Sequence, residues 1–288
     1  MGEETMEHRI LTHPMAARER FRNIVELPDR MIDLTEAALV IALEEYPSLQ
    51  VGSYLEQIDE WSDAIRDRTE GSSDIERILG EINRFLFEQE GFHGAAGDYY
   101  DPRNAYLNEV LDRHAGLPIA LSILYIEISR RVGIEMEGVS LPGRFLVKVT
   151  GPWGELLIDP FDGGRVLTSH ECQLILDRVY GGGVRLREHH LRPDSRHDVL
   201  ARVLSHIKAI HLARGETERA IADIDRLLML DREDPYELRD RGLAAMKVHR
   251  YLDAIEYLEL YLEHARHAED SDRIRAQIEY LEAWLTSN

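Results

Sequence analysis

Two stretches toward the C-terminal end, RGETERAIADIDRLLML (214–230) and VHRYLDAIEYLELYLEH (248–264), overlay at a constant offset. Ala220 falls on Ala254, Ile221 on Ile255, Ile224 on Leu258, Leu227 on Tyr261 and Leu228 on Leu262, an offset of 34 residues. A repeat of that length with apolar positions three and four apart predicts stacked helical hairpins, each burying a face against the next. Alanine stands where two helices cross, and the large residues that follow fill the groove beside it. Gly215 supplies the inter-helix turn of the first copy, whereas His249 stands there in the second, so the pattern is degenerate at that point. DSDRIRAQIEYLEAWL (270–285) places Ile274, Ile278, Leu281 and Leu285 on one face, which suits a closing helix. Two copies and a cap make a short array, so the block is expected to lean on the domain before it.

The N-terminal third reads as helices. MIDLTEAALVIALEEYP (31–47) is apolar at Leu34, Ala38, Ile41 and Ala42 and is expected to stop before Pro47. SYLEQIDEWSDAIRDR (53–68) repeats the pattern with Leu55, Ile58, Trp61 and Ile65. Ser73 and Glu76 have the spacing of a capping box for a helix carrying Ile75, Ile78, Leu79, Ile82 and Phe85. After a glycine-punctuated loop (91–104) and a short helix near 105–114, GLPIALSILYIEISRRVGI (116–134) starts a helix at Pro118 and ends it at Gly133. Ile119, Ile123 and Ile126 define its expected buried face. Two or three strands follow, near 136–141, 143–150 and 155–159, then a helix near 169–179. The fold class is α+β, mostly helical, with a small antiparallel sheet followed by a helical hairpin array.

With 44% hydrophobic and 31% charged residues over 288 positions, the composition is that of a globular chain. No apolar run approaches the roughly 20 residues that span a bilayer, and the first residues have neither a secretory layout nor the Ser or Thr at position 6 that N-myristoylation uses. The lone cysteine, Cys172, has no internal disulfide partner, which fits a reducing compartment, so a cytoplasmic location without membrane attachment is expected. A formal net charge of −20 opposes nucleic-acid binding.

The segments NAYLNEVLDRHAGLPIALSILYIEISRRVGI, LPGRFLVKV and LLIDPFDGG, in this order and ahead of the 34-residue repeat, resemble a bacterial family that joins a transglutaminase-like (papain-like) core to tetratricopeptide repeats. The resemblance runs from about residue 31 to 285. It implies an N-terminal extension (1–30), a helical lead-in and transglutaminase-like core (31–195), and tetratricopeptide helices with a capping helix (196–288). Active members of the superfamily place cysteine at the start of the core helix, histidine on the next strand and aspartate on the one after. A helix N-terminus lowers the thiol pKa, the imidazole holds the thiolate, and the carboxylate orients the imidazole. Carried over, those positions are Pro118, Arg144 and Asp159. Proline has no nucleophile, and arginine stays protonated and is no general base. Sequences of the family often read PGHF where this chain reads PGRF.

The resemblance therefore implies a degenerate triad with no catalytic residues, in which Arg144 pairs with Asp159 through a planar guanidinium suited to a bidentate fork. Either residue also serves as a candidate for a ligand or partner pocket, together with Tyr99, Tyr100, Asn104, Ser122 and Tyr125, each of which has a plain packing role as its alternative. An anion held by Arg144 is the small-molecule version of that pocket. Cys172 lies away from the motif positions in the sequence and reads as an incidental buried thiol. His264 with His267, and His189 with His190, have no third ligand, so no metal and no cofactor are expected. The functional expectation is a protein-interaction or regulatory module that meets a protein or peptide partner through its helical repeats. The alternative is a hydrolase or acyl transferase of peptide or amide bonds with a rearranged site.

Overall fold

The computed structural model describes residues 13–69, 72–95, 97 and 100–287. Two compact units divide the chain, one up to Leu200 and one from Ala201 onward.

The first unit opens with α1 (Pro14–Val25) and α2 (Leu34–Ala42), so the stretch taken as an extension carries a helix whose Phe21 is fully buried. Asp33 caps α2 by accepting from the Glu36 amide at 3.0 Å, and the helix ends at Ala42, several residues short of the proline. Next come α3 (Val51–Thr69) and α4 (Ile75–Asn83), which continues into a π-helical turn, Arg84–Gln89. The cap of α4 is Asp74, whose Oδ1 accepts the Glu76 amide at 3.0 Å, and not Ser73. Aspartate one residue nearer the helix has the shorter reach to that amide.

A two-residue parallel bridge joins β1 (His93–Gly94) to β2 (Ala115–Gly116), with α5 (Leu107–Arg113) between them in sequence. The central helix α6 (Pro118–Arg131) follows. It buries every residue from Ile119 to Ser129, not one isoleucine face, because helices and the sheet surround it. The sheet is an antiparallel meander of β3 (Glu137–Leu141), β4 (Arg144–Gly151), β5 (Gly154–Asp159) and β6 (Arg165–Leu167). Phe145, Val147 and Val149 alternate with Leu146 and Lys148 along β4, as the pleat requires. Leu146 joins Val139, Leu141, Leu157, Leu167, Cys172 and Leu176 in a cluster against α7 (Ser169–Tyr180).

The chain passes into the second unit within α8 (Arg196–Ala213), followed by α9 (Thr217–Leu230), α10 (Pro235–Lys247), α11 (Tyr251–His264) and α12 (Ser271–Ser287). Ala220, Ile224, Ala254 and Leu258 are fully buried, as the 34-residue overlay requires. A Cβ on Gly242 would sit 2.6 Å from Leu258 Cγ, so α10 and α11 pack at a distance that only glycine admits. Gly215 has φ +74° and His249 has φ +61°, so the second copy keeps the left-handed turn although it lacks the glycine.

Candidate functional site

Two of the positions that the sequence resemblance assigns to the triad are set by local features. Pro118 occupies the first turn of α6, where its missing N–H costs nothing. Leu141 pairs with Arg144 across a two-residue Pro142–Gly143 turn, with Gly143 at φ +85°. That turn makes Arg144 the first residue of β4, at the rim of the sheet.

The β4–β5 ladder pairs Val147 with Ile158. Extended past its end, this register puts Arg144 opposite Phe161 and on a diagonal from Asp159. Both neighbours are met. Arg144 Nε lies 3.3 Å from Asp159 Oδ2, and its Cζ stands 4.6 Å from the centre of the Phe161 ring. The pair is an ionic contact and not the bidentate fork, because the buried Nε makes no hydrogen bond. Asp159 Oδ1 accepts instead from the Phe161 amide at 3.1 Å, capping the turn that follows β5. Burial pushes the Asp159 carboxyl above its ordinary value, and the Arg144 charge offsets only part of that. Phe161 in turn lies on Gly94, where a Cβ would come within 2.7 Å of the ring.

Ser122, Tyr125 and Asn104 are occupied in the fabric of the fold. The Ser122 hydroxyl, fully buried, donates to the Phe145 carbonyl at 3.4 Å. The Tyr125 hydroxyl donates to Asn83 Oδ1 at 2.9 Å, and Asn83 Nδ2 donates to the Gly164 carbonyl at 3.0 Å. Burial drives the Tyr125 phenol far above its ordinary pKa, so it stays protonated. Asn104 is buried, accepts from Arg113 at 3.1 Å through its side chain, and receives the Leu117 amide at 2.8 Å on its carbonyl, which fixes the approach to α6. Tyr100 is mainly exposed, and Tyr99 lies outside the described residues.

Cys172 is closer to the motif than its place in the sequence implied. It sits in the first turns of α7 on the same sheet face as Leu146 and Leu157, near enough for the Asp159 charge to act on its thiol. Burial, Glu171 and Asp159 all push the thiol pKa up, and the side chain has no exposed surface. Those are the conditions of an inert thiol. Among the described residues no three His, Cys, Asp or Glu side chains converge as a metal would need. Taken together, the corner can hold an anion at a guanidinium. Among the described residues it offers no nucleophile paired with a base.

Sequence reasoning missed two features of this unit. Glu127, fully buried in α6, accepts from the Leu34 amide at 3.1 Å, from Arg130 at 2.7 Å and Arg131 at 3.0 Å, and from Arg196. Arg130 and Arg131 also reach Asp33 at 2.8 and 2.9 Å. A lone glutamate between Ile126 and Ile128 was the available signal. The second feature is a cavity of about 170 Å³ with an apolar floor including Leu34, Ile126 and Met136, and with Asp29, Asp194 and Arg196 in its walls. It contains none of the sequence candidates.

Comparison with known proteins agrees with this architecture. Residues 52–205 match the family model of the transglutaminase-like superfamily, and residues 207–279 match that of the tetratricopeptide repeat. A UPF0162 protein of Xylella fastidiosa (strain Temecula1) is 34% identical over 90% of this chain and 93% of its own. Human F-box only protein 21 shares 36% identity over 108 residues, 35% of this chain and 17% of that protein. A menin structure described as revealing the binding site for Mixed Lineage Leukemia (MLL) protein aligns over 92% of this chain and 73% of that one. Its TM-score is 0.44 and its identity 10%. With the first family model spanning more than half of the chain and the Xylella relative matching nearly all of it, this protein belongs to the transglutaminase-like superfamily, as a member joined to tetratricopeptide repeats.

Proposed function

We propose that this protein is a non-catalytic transglutaminase-like/tetratricopeptide protein that acts as a protein-interaction or regulatory module. The observation that carries the reading is the state of Arg144. It stands where the superfamily's histidine would stand, stacked on Phe161 and 3.3 Å from Asp159, and a permanently charged guanidinium takes no proton from a nucleophile. The Pro118 position supplies none, and the nearby thiol and hydroxyls are buried and engaged in packing or hydrogen bonds. Tetratricopeptide repeats generally mediate protein–protein contacts, which supports the second half of the reading. No helix among the described residues is long and apolar enough to cross a membrane.

Chemical labelling tests the reading. Native protein is exposed to iodoacetamide and to a fluorophosphonate, and each labelled residue is located by mass spectrometry. The expected result is that Cys172 reacts more slowly in the native chain than in urea and that no hydroxyl reacts. A residue labelled faster in the native chain than in the unfolded one would mark an activated nucleophile and overturn the proposal.

A further inference from the structure

Buried arginines elsewhere in this protein are hydrogen-bonded to carboxylates. Arg131 donates to Asp59 at 2.7 Å, Arg226 to Asp223 at 2.6 Å and Arg241 to Asp225 at 2.6 Å. Arg144 differs. Its Nε is buried without a hydrogen-bond partner, although Asp159 lies 3.3 Å away, and its terminal nitrogens have no hydrogen bond among the described residues. One-fifth of the side chain remains accessible. A guanidinium carries five N–H donors in one plane, so this one retains its donor capacity for something outside the fold.

Its plane is nonetheless held. Phe161 supports one face at 4.6 Å, Gly94 leaves room for that ring, and the Pro142–Gly143 turn fixes the start of β4. A fixed, unsatisfied fork needs less ordering to bind than a free surface arginine does. We propose that the Arg144–Phe161–Asp159 corner is a docking point for a carboxylate group of a partner peptide. The proposal rests on the non-catalytic reading above and names the chemistry that the partner brings.

Carboxylate fits better than phosphate. The fork can take two oxygens of either group, but a dianion is repelled more strongly than a monoanion by Asp159 and by the field of a chain with net charge −20. Asp159 is also tuned in the helpful direction, since burial raises its pKa and its protonated form neither repels the ligand nor competes for Arg144. Asp162 adds a negative charge beside Asp159 and Cys172 also faces it, so free-acid binding is expected to rise as Asp159 protonates only while the ligand carboxylate itself stays ionised.

The probes are acetyl-Ala-Ala with a free C-terminal carboxylate, the same peptide as its C-terminal amide, and inorganic phosphate. Each is titrated into the full chain while the Arg144 side-chain N–H signal is followed by NMR. Saturable shifts are expected with the free acid, with the amide and phosphate at least about tenfold weaker. Arg144→Gln should abolish the response, measured by isothermal titration, and Arg144→Lys, which keeps the charge without the fork, should weaken it. Asp159→Asn should strengthen free-acid binding at pH 7.5 and flatten its pH dependence. Equal binding of acid and amide, free-acid binding that survives in a folded Arg144→Gln chain, or no saturable response would each overturn the docking point. The recovered peptide is weighed by mass spectrometry. An intact peptide without binding sinks this inference alone, whereas a cleaved peptide sinks the non-catalytic reading.

Discussion

At the scale of single residues, the fold keeps several ionisable groups in states set by their neighbours. His197 Nε2 meets the Val25 carbonyl at 2.8 Å and Nδ1 meets Asp29 Oδ1 at 2.9 Å. Both partners are acceptors, so both ring nitrogens donate and the imidazole is held as its cation. Burial opposes that charge, but the hydrogen bonds to Asp29 and Val25 outweigh it and raise the pKa above 6.5. Asp29 moves the opposite way, as an acid gaining a cationic partner should. Arg196 and Arg30 are nearby cations and Asp198 a further anion, so the pair sits in a mixed field. A raised histidine pKa contributes stability that is fully present below about 6.5 and is lost as pH rises through the folded-state value. The expected outcome is a melting temperature that declines across that interval, and a His197→Gln chain that is less stable at low pH and shows a flatter profile. A wild-type profile that rises with pH over this range would show that the imidazole is neutral when folded.

At the scale of elements, the central helix shows what periodicity reveals and what it hides. Pro118 at the start and Gly133 beyond the end were legible, because backbone chemistry fixes both positions. The Pro-Gly turn and the alternation along β4 were legible for the same reason, and they set the rim position of Arg144. The all-round burial of α6 was not, since a helix enclosed on every side loses the stripe that marks an amphipathic one. Nor was the Glu127 cluster, whose Leu34 and Arg196 contacts lie 93 and 69 residues away in sequence. Phe161 escaped notice because the register that brings it under Arg144 exists only once β4 and β5 are paired. In the repeats, the overlay identified the buried positions, but it left the pattern degenerate at His249, where the turn glycine is missing. The backbone keeps the left-handed geometry there, and the ring is tied to the Tyr251 hydroxyl at 2.7 Å. Glu127 carries the prediction at this scale. Replacing one partner of a buried ionic cluster leaves the others uncompensated, so Glu127→Gln is expected to cost about 3 kcal/mol in urea unfolding. A loss below about 0.5 kcal/mol would mean that water or rearranged arginines satisfy the cluster.

At the scale of the whole molecule, the chain couples a transglutaminase-like domain to tetratricopeptide helices, and the proposed reading is that Pro118 and Arg144 leave the first of these without a catalytic pair. Asp159, which the resemblance aligns with the triad carboxylate, serves as a turn cap and a neighbour to Arg144. A net charge of −20 leaves a partner's basic surface to be favoured in encounter, while the Arg144 corner is a local exception to that field. If the proposed function holds, this chain performs no acyl chemistry, and turnover tests that without intermediaries. Wild-type protein is incubated with a mixed panel of peptide amides and a primary amine between pH 6 and 9, and substrates and products are quantified by mass spectrometry. Intact substrates are expected at every pH, with no hydrolysis and no amine transfer above the protein-free rate. Cleavage or transfer that disappears in the Asp159→Asn chain would contradict the proposed function and make the site a rearranged enzyme.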